Sequence, residues 1–165
     1  VTITECPDPH AAFLARYVGQ GATYTDCFET DLSRDVALED YLGAFYTSPL
    51  FRAERAVLSL LLRRRIKDSE LSQMLSGARD NFAAWDVEAR SKDQILMRDL
   101  SGATRSWFYV QVRTDGTRLS FGSAVLASEG AKLPFGVRLA APLHRIYAKA
   151  LLKAAHRRLS RSAKH

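Results

Sequence analysis

The chain has 165 residues, 47% of them apolar, with 24 Lys and Arg against 18 Asp and Glu. That length suits one domain burying about two-thirds of its unfolded surface, and the apolar content excludes a disordered chain. No apolar run reaches the roughly 18 residues that a membrane-spanning helix needs, and two cysteines are too few for a disulfide scaffold.

The net charge of +6 is local. Arg138, Arg145, Lys149, Lys153, Arg157, Arg158, Arg161 and Lys164 fall in residues 136–165, which hold no acidic residue. Residues 1–135 are left with 16 basic against 18 acidic side chains, a net of −2. A second cluster, Arg63-Arg64-Arg65 with Lys67, ends a predicted helix, where the last carbonyls favour cations. The plain reading of both clusters is a solvated face; the sharper one is a contact for anionic membrane or nucleic acid. The organisation expected is one domain over residues 1–160 with a basic tail at 161–165. The run Ala11-Ala12-Phe13-Leu14-Ala15 is stopped by Arg16, too short for a signal-peptide core, so a cytoplasmic protein with reduced thiols is the expectation.

In chain order, Cys6-Pro7-Asp8-Pro9 and Gly19-Gln20-Gly21 give residues 1–21 the chemistry of an irregular lead-in. Residues 23–32 alternate, with Tyr24, Asp26, Phe28 and Thr30 on one side, and their threonines and aromatics predict a strand in which Cys27 is a small, partly buried residue. Ser33 can cap a helix whose apolar face is Leu38, Tyr41, Leu42 and Phe45. Pro49 opens a second helix along Leu50, Val57, Leu58 and Leu61. Asp68 is the candidate cap of a third, through Leu71, Met74 and Leu75 to a stop at Gly77.

The period then switches to two. Residues 82–90 place Ala83, Trp85, Val87 and Ala89 on one side, and residues 94–100 pair with them as a hairpin. Residues 105–113 put Trp107, Tyr109 and Gln111 on one face and Phe108, Val110 and Val112 on the other. Asp115-Gly116 predicts a tight primed turn with both residues at positive φ, leading into residues 117–127. A long helix follows over about residues 135–160, with Leu139, Leu143, Ile146, Tyr147, Ala150, Leu151 and Ala154 as its apolar face. Pro142 is expected to kink it or to begin its main part. Strand, helices, four-stranded meander and long helix make an α+β domain.

Three stretches carry a family resemblance: Ser48-Pro49-Leu50-Phe51-Arg52, Trp107-Phe108-Tyr109-Val110, and Gly136-Val137-Arg138-Leu139-Ala140-Ala141-Pro142-Leu143-His144-Arg145-Ile146. With the element order over residues 22–160, they resemble the START-like superfamily, which includes polyketide cyclases and lipid-transfer domains, and within it a group of uncharacterised bacterial proteins. The resemblance implies a helix-grip fold, in which a curved antiparallel sheet wraps around the long C-terminal helix. It also implies a cavity between them for a small hydrophobic or amphipathic molecule, and no shared catalytic residue. Five strands are read here, where a full member has six or seven.

The candidate chemistry is sparse. Cys6, Cys27, His10, His144, His156 and His165 show no metal-ligand spacing, no dinucleotide or Walker loop is present, and no metal or cofactor is expected. No Gly-x-Ser-x-Gly elbow occurs, though Cys27 and His144 are a conceivable nucleophile and base. His144, at the edge of the helix's apolar stripe, is the leading candidate for a cyclase- or hydrolase-like acid–base role or for a hydrogen bond to a ligand. Its plain alternative is an exposed or helix-bonded imidazole, and His156, among basic residues, is read as solvated. The amphipathic strand face suggests Trp107 and Tyr109 as pocket wall, with Trp85, Phe121, His144 and Tyr147 completing the ligand-binding set. Arg98 and Arg105 could pair a ligand carboxylate, but their plain reading is as surface residues.

Overall fold

The alternating segments zip into one antiparallel sheet in the computed structural model, which describes residues 1–6, 12–19, 23–53, 56, 66–127 and 135–162, the side chains of 23, 135–140 and 162 excepted. Its strands are β1 (Thr4–Glu5), β2 (Thr23–Leu32), β3 (Asn81–Phe82), β4 (Trp85–Arg90), β5 (Gln94–Asp99), β6 (Thr104–Arg113) and β7 (Gly116–Leu126). They lie in the order β1-β2-β7-β6-β5-β4-β3. A 3-10 turn spans Phe13–Tyr17, and the helices are α1 (Leu38–Tyr46), α2 (Asp68–Leu75) and α3 (Phe135–Ser162), with residues 49–53 also helical. The sheet is curved and α3 packs against its inner face, chiefly on β2, with α1 beside it. No helix among the described residues is long and apolar enough to cross a membrane. The predicted residues Val57, Leu58, Leu61 and Arg63-Arg64-Arg65, with His10, His165, residues 163–164 of the tail and the Leu139 side chain, lie outside what is described here.

Period two sorts the sheet into two faces. Inward, Phe28, Phe121, Phe108 and Ile95 stand side by side across β2, β7, β6 and β5 and are buried with Tyr41, Phe45 and Leu152 in the main core. Full burial of one such side chain stabilises the fold by about 1.5–3 kcal/mol. Outward, Cys27, Ala124, Trp107 and Leu96 form a second cluster capped by Leu14 of the 3-10 turn. Gly122 permits that cap: a Cβ there would stand 2.5 Å from Leu14 Cδ2 and 3.0 Å from Trp107 Cε3.

Several sequence expectations are corrected. The described residues form seven strands in place of five, because the lead-in contributes β1 and the expected strand over 82–90 is broken by Ala83 at φ 56°. A bulge between Val87 and Ala89 then turns Glu88 and Ala89 outward while Trp85 and Val87 stay inward. At the β6–β7 hairpin, Thr114 and Asp115 are the two loop residues and neither has positive φ; Gly116, paired with Arg113, is instead required because a Cβ would collide with the Leu32 carbonyl. Ser33 does not cap α1, which starts after Ala37 with Glu39 and Asp40 in its first turn. Asp68 is the first residue of α2, after Lys67. Helix α3 continues through Pro142. Its buried stripe is Ala148, Leu151, Leu152, Ala155 and Leu159, while Leu143 and Ile146 are 71% and 66% exposed.

Candidate functional site

Between sheet, α1 and α3 lies a cavity of about 220 Å³. Its apolar walls are Phe108 and Phe121 from the sheet, Phe45, Tyr46 and Phe51 from α1 and the helical residues after it, and Trp85, Tyr147 and Leu151. Known ligand pockets run to about 300–1,000 Å³, and an apolar cavity of about 150 Å³ holds a benzene. The space suits a molecule of one or two rings.

One side of the cavity is polar, and register explains why. The row next to the aromatic one reads Met97, Ser106, Ser123, Asp26 across β5, β6, β7 and β2, each directly opposite the next. Directly opposed residues share a face, so two serines and a carboxylate are set into an otherwise apolar surface. Ser106 and Ser123 line the cavity. His144 closes it from α3, with Nε2 3.0 Å from Ser123 Oγ and 3.7 Å from Asp26 Oδ2. The Asp26 side chain has no exposure. Its Oδ2 accepts from the Tyr24 hydroxyl at 3.1 Å, and its Oδ1 has no hydrogen-bond partner among the described residues. Burial, followed by the Asp26 charge, raises the Tyr24 phenol above its ordinary value of 10.0. Arg145 bonds Tyr24 from the other side and pairs with Glu5. A polar chain thus runs from the surface at Glu5 through Arg145, Tyr24 and Asp26 to His144 and Ser123.

Of the residues singled out from sequence, Trp85, Phe121, His144 and Tyr147 meet at this cavity. Trp107 and Tyr109 do not. They stack on the outer face with ring centroids 5.6 Å apart, where Trp107 Nε1 donates to Gln94 Oε1 at 3.0 Å beneath the 3-10 turn. The mixed aromatic–polar character of that face serves the turn; the all-apolar Phe108–Val110 face is the inner one. Cys27 is outward too, so the sheet separates it from His144. Arg105 is buried and not a surface residue: its Nε lies 2.5 Å from Glu88 Oε2 and donates to the Tyr17 hydroxyl at 3.1 Å. Arg98 is exposed, 3.8 Å from Asp86. His156 is half-buried, with Nε2 3.1 Å from the Asp31 carbonyl. Sequence reasoning missed Ser106, Ser123 and Asp26; their signal was a polar residue at an inward position of each strand.

Chemically, His144 presents the same nitrogen to Ser123 and Asp26. A Ser–His–Asp relay uses the two ring nitrogens separately, so the group here is a hydrogen-bonding corner. Among the described residues no His, Cys, Asp and Glu side chains gather to hold a metal. A larger cleft, about 980 Å³, runs between α1, the end of α2, the β4–β5 turn and the end of β6, but exposed residues such as Glu39, Lys92 and Gln111 form much of its wall.

Fold and cavity define an α+β protein in which a long C-terminal helix packs on a curved antiparallel sheet beside a small, partly open cavity. No family model matches the chain, and no curated protein does. Among solved structures, an uncharacterised protein from Rhizobium leguminosarum is similar with a TM-score of 0.35 and 10% sequence identity, over 84% of this chain and 95% of that one.

Proposed function

We propose that the protein is a START-like binding domain for a small amphipathic molecule, held with its apolar body against Phe108 and Phe121 and its polar head at Ser106, Ser123 and His144. The observation that carries this is the pair of adjacent rows, one aromatic and one polar, on a single cavity wall. The Ser106 hydroxyl makes no hydrogen bond among the described residues, so it is available to a ligand. A pocket of apolar walls with a few convergent polar groups is the usual form of a small-molecule site.

Titration with 1-naphthol and naphthalene, which share a body and differ by one hydroxyl, tests this. Wild type should bind both and favour 1-naphthol; Ser106→Ala with Ser123→Ala should lose the preference; Ala148→Phe, folded by circular dichroism, should bind neither. Failure of wild type to bind either probe, or unchanged binding by Ala148→Phe, would sink the proposal.

A second reading rests on α3. Leu143 and Ile146 project outward beside Lys149 and Lys153, and Ile146, Ala150 and both lysines border a shallow depression with Ile3. Exposed apolar side chains among cations suit an anionic lipid surface. Co-sedimentation with phosphatidylserine vesicles at low salt, reduced in Ile146→Ser with Lys153→Ser, supports it; equal retention of wild type and variant rejects it.

A further inference from the structure

The two cysteines, with 20 residues between them in sequence, meet at the sheet edge. Pairing of β1 with β2 sets Thr4 opposite Glu29 and Glu5 opposite Phe28. The next step brings Cys6 opposite Cys27, and the Cys6 N–H donates to the Cys27 carbonyl at 3.0 Å. Opposed residues of an antiparallel pair have Cα atoms about 4.5–5.5 Å apart. Disulfides close without backbone movement over about 4.4–6.8 Å. Both side chains join the outer cluster with Leu14 and Trp107. Cys27 is buried and Cys6 half-buried, beside a cleft of about 170 Å³ that also touches Glu5, Val18 and Arg145.

The Cys27 thiol is also shifted in acidity. It is pushed up, first by its hydrogen bond to Cys6, then by burial and by the nearby Cys6, Glu29 and Asp26 charges. A thiol that keeps its proton and shares it with a neighbouring sulfur favours the thiolate on that neighbour. The accessible sulfur, Cys6, is therefore the attacking one.

We propose that Cys6 and Cys27 are a thiol–disulfide exchange site, a dithiol that closes to an intramolecular disulfide by reaction with a small disulfide of the glutathione class. The Cys6 thiolate attacks one sulfur of the small disulfide, forming a mixed disulfide and expelling one thiolate, which takes a proton from solvent. Cys27 then loses its proton to solvent and attacks the Cys6 sulfur, releasing the second small thiol. One small disulfide is reduced to two thiols, and two protein thiols are oxidised to one bond. The closed loop would contain the 3-10 turn Phe13–Tyr17 and fasten it over Trp107.

The experiment exposes reduced full-length protein to excess oxidised glutathione, then counts thiols and measures intact mass. The expected product has no titratable thiol, a mass lower by two hydrogens, a Cys6–Cys27 cross-link in the non-reduced peptide map, and a thermal midpoint raised by about 5–10 °C. Cys27→Ser should stop at one glutathione adduct on Cys6, and Cys6→Ser should acquire none. Two thiols surviving in folded wild type, a stable glutathione adduct without closure, or a bond between two chains would overturn the assignment. Wild type alone decides it if the serine variants do not fold.

Discussion

His144 on α3 and Ser123 on β7 join helix to sheet through a 3.0 Å contact between Nε2 and Oγ, within the polar row of the cavity wall. Replacing the imidazole with a ring of similar bulk keeps the wall and removes the hydrogen bond. His144→Phe should weaken 1-naphthol binding about 5- to 10-fold, the worth of roughly 1–1.5 kcal/mol, and leave naphthalene binding within about twofold. Fluorescence titration of both probes checks this, and an equal loss for both would assign His144 a packing role only.

The 3-10 turn is held by charge as well as by Leu14. Tyr17 donates to Glu88 Oε1 at 2.5 Å, and Glu88 Oε2 lies 2.5 Å from Arg105 Nε, where both charged side chains are largely buried. Removing one member of a buried pair strands the other. Glu88→Ala should cost about 3 kcal/mol in urea unfolding, and Tyr17→Phe about 1 kcal/mol. A Glu88→Ala cost below about 0.5 kcal/mol would mean that water already screens the pair.

Gly122→Ala should destabilise by about 1–3 kcal/mol, since the added carbon meets Leu14, the Trp107 ring and, at 3.1 Å, the Asp26 carbonyl. The Leu14 end is the adaptable neighbour. Gly122→Ala with Leu14→Ala should therefore lose less than the sum of the single changes, a coupling that a double-mutant cycle measures. Strict additivity would show that the clash lies with Trp107 and the backbone.

Burial lowers the His156 pKa below its ordinary 6.5, against the opposing hydrogen bond to the Asp31 carbonyl and with a small push from the N-terminal charge. As pH falls, the unfolded chain takes the proton first. The associated stability is whole above about pH 6.5 and is lost as pH drops through that value toward the folded one. Thermal midpoints measured from about pH 7.5 to pH 5 should fall more steeply for wild type than for His156→Asn. Parallel curves would show that the ring titrates alike in both states.

The long strands were readable because β2, β6 and β7 keep strict period two, and the turn residues around them stand out. Which face of β6 looks inward was not, since Trp107 and Tyr109 on one side and Phe108 and Val110 on the other are almost equally apolar. Only the 3-10 turn, a product of the irregular lead-in, breaks that tie. On α3 the alanines at 148 and 155 decide the buried stripe, and an alanine carries too little hydrophobic signal to outweigh Leu143 and Ile146. Glu88 reached Arg105 through a bulge that no residue type announces. The meeting of Cys6 with Cys27 depended on a two-residue strand, below the length at which alternation can be seen.

The junction of β2 with β7 has a consequence for biosynthesis. Thr23 pairs with Leu126 and Leu32 with Thr117, so the first long strand waits for a partner made roughly 85–100 residues later, about 5–20 s at ribosomal speed. During that interval Phe28 has neither Phe121 nor α3 against it. The newborn chain therefore carries a strand with an open β7 edge and an aromatic face, the kind of segment that chaperones shield and that aggregates when synthesis outruns them.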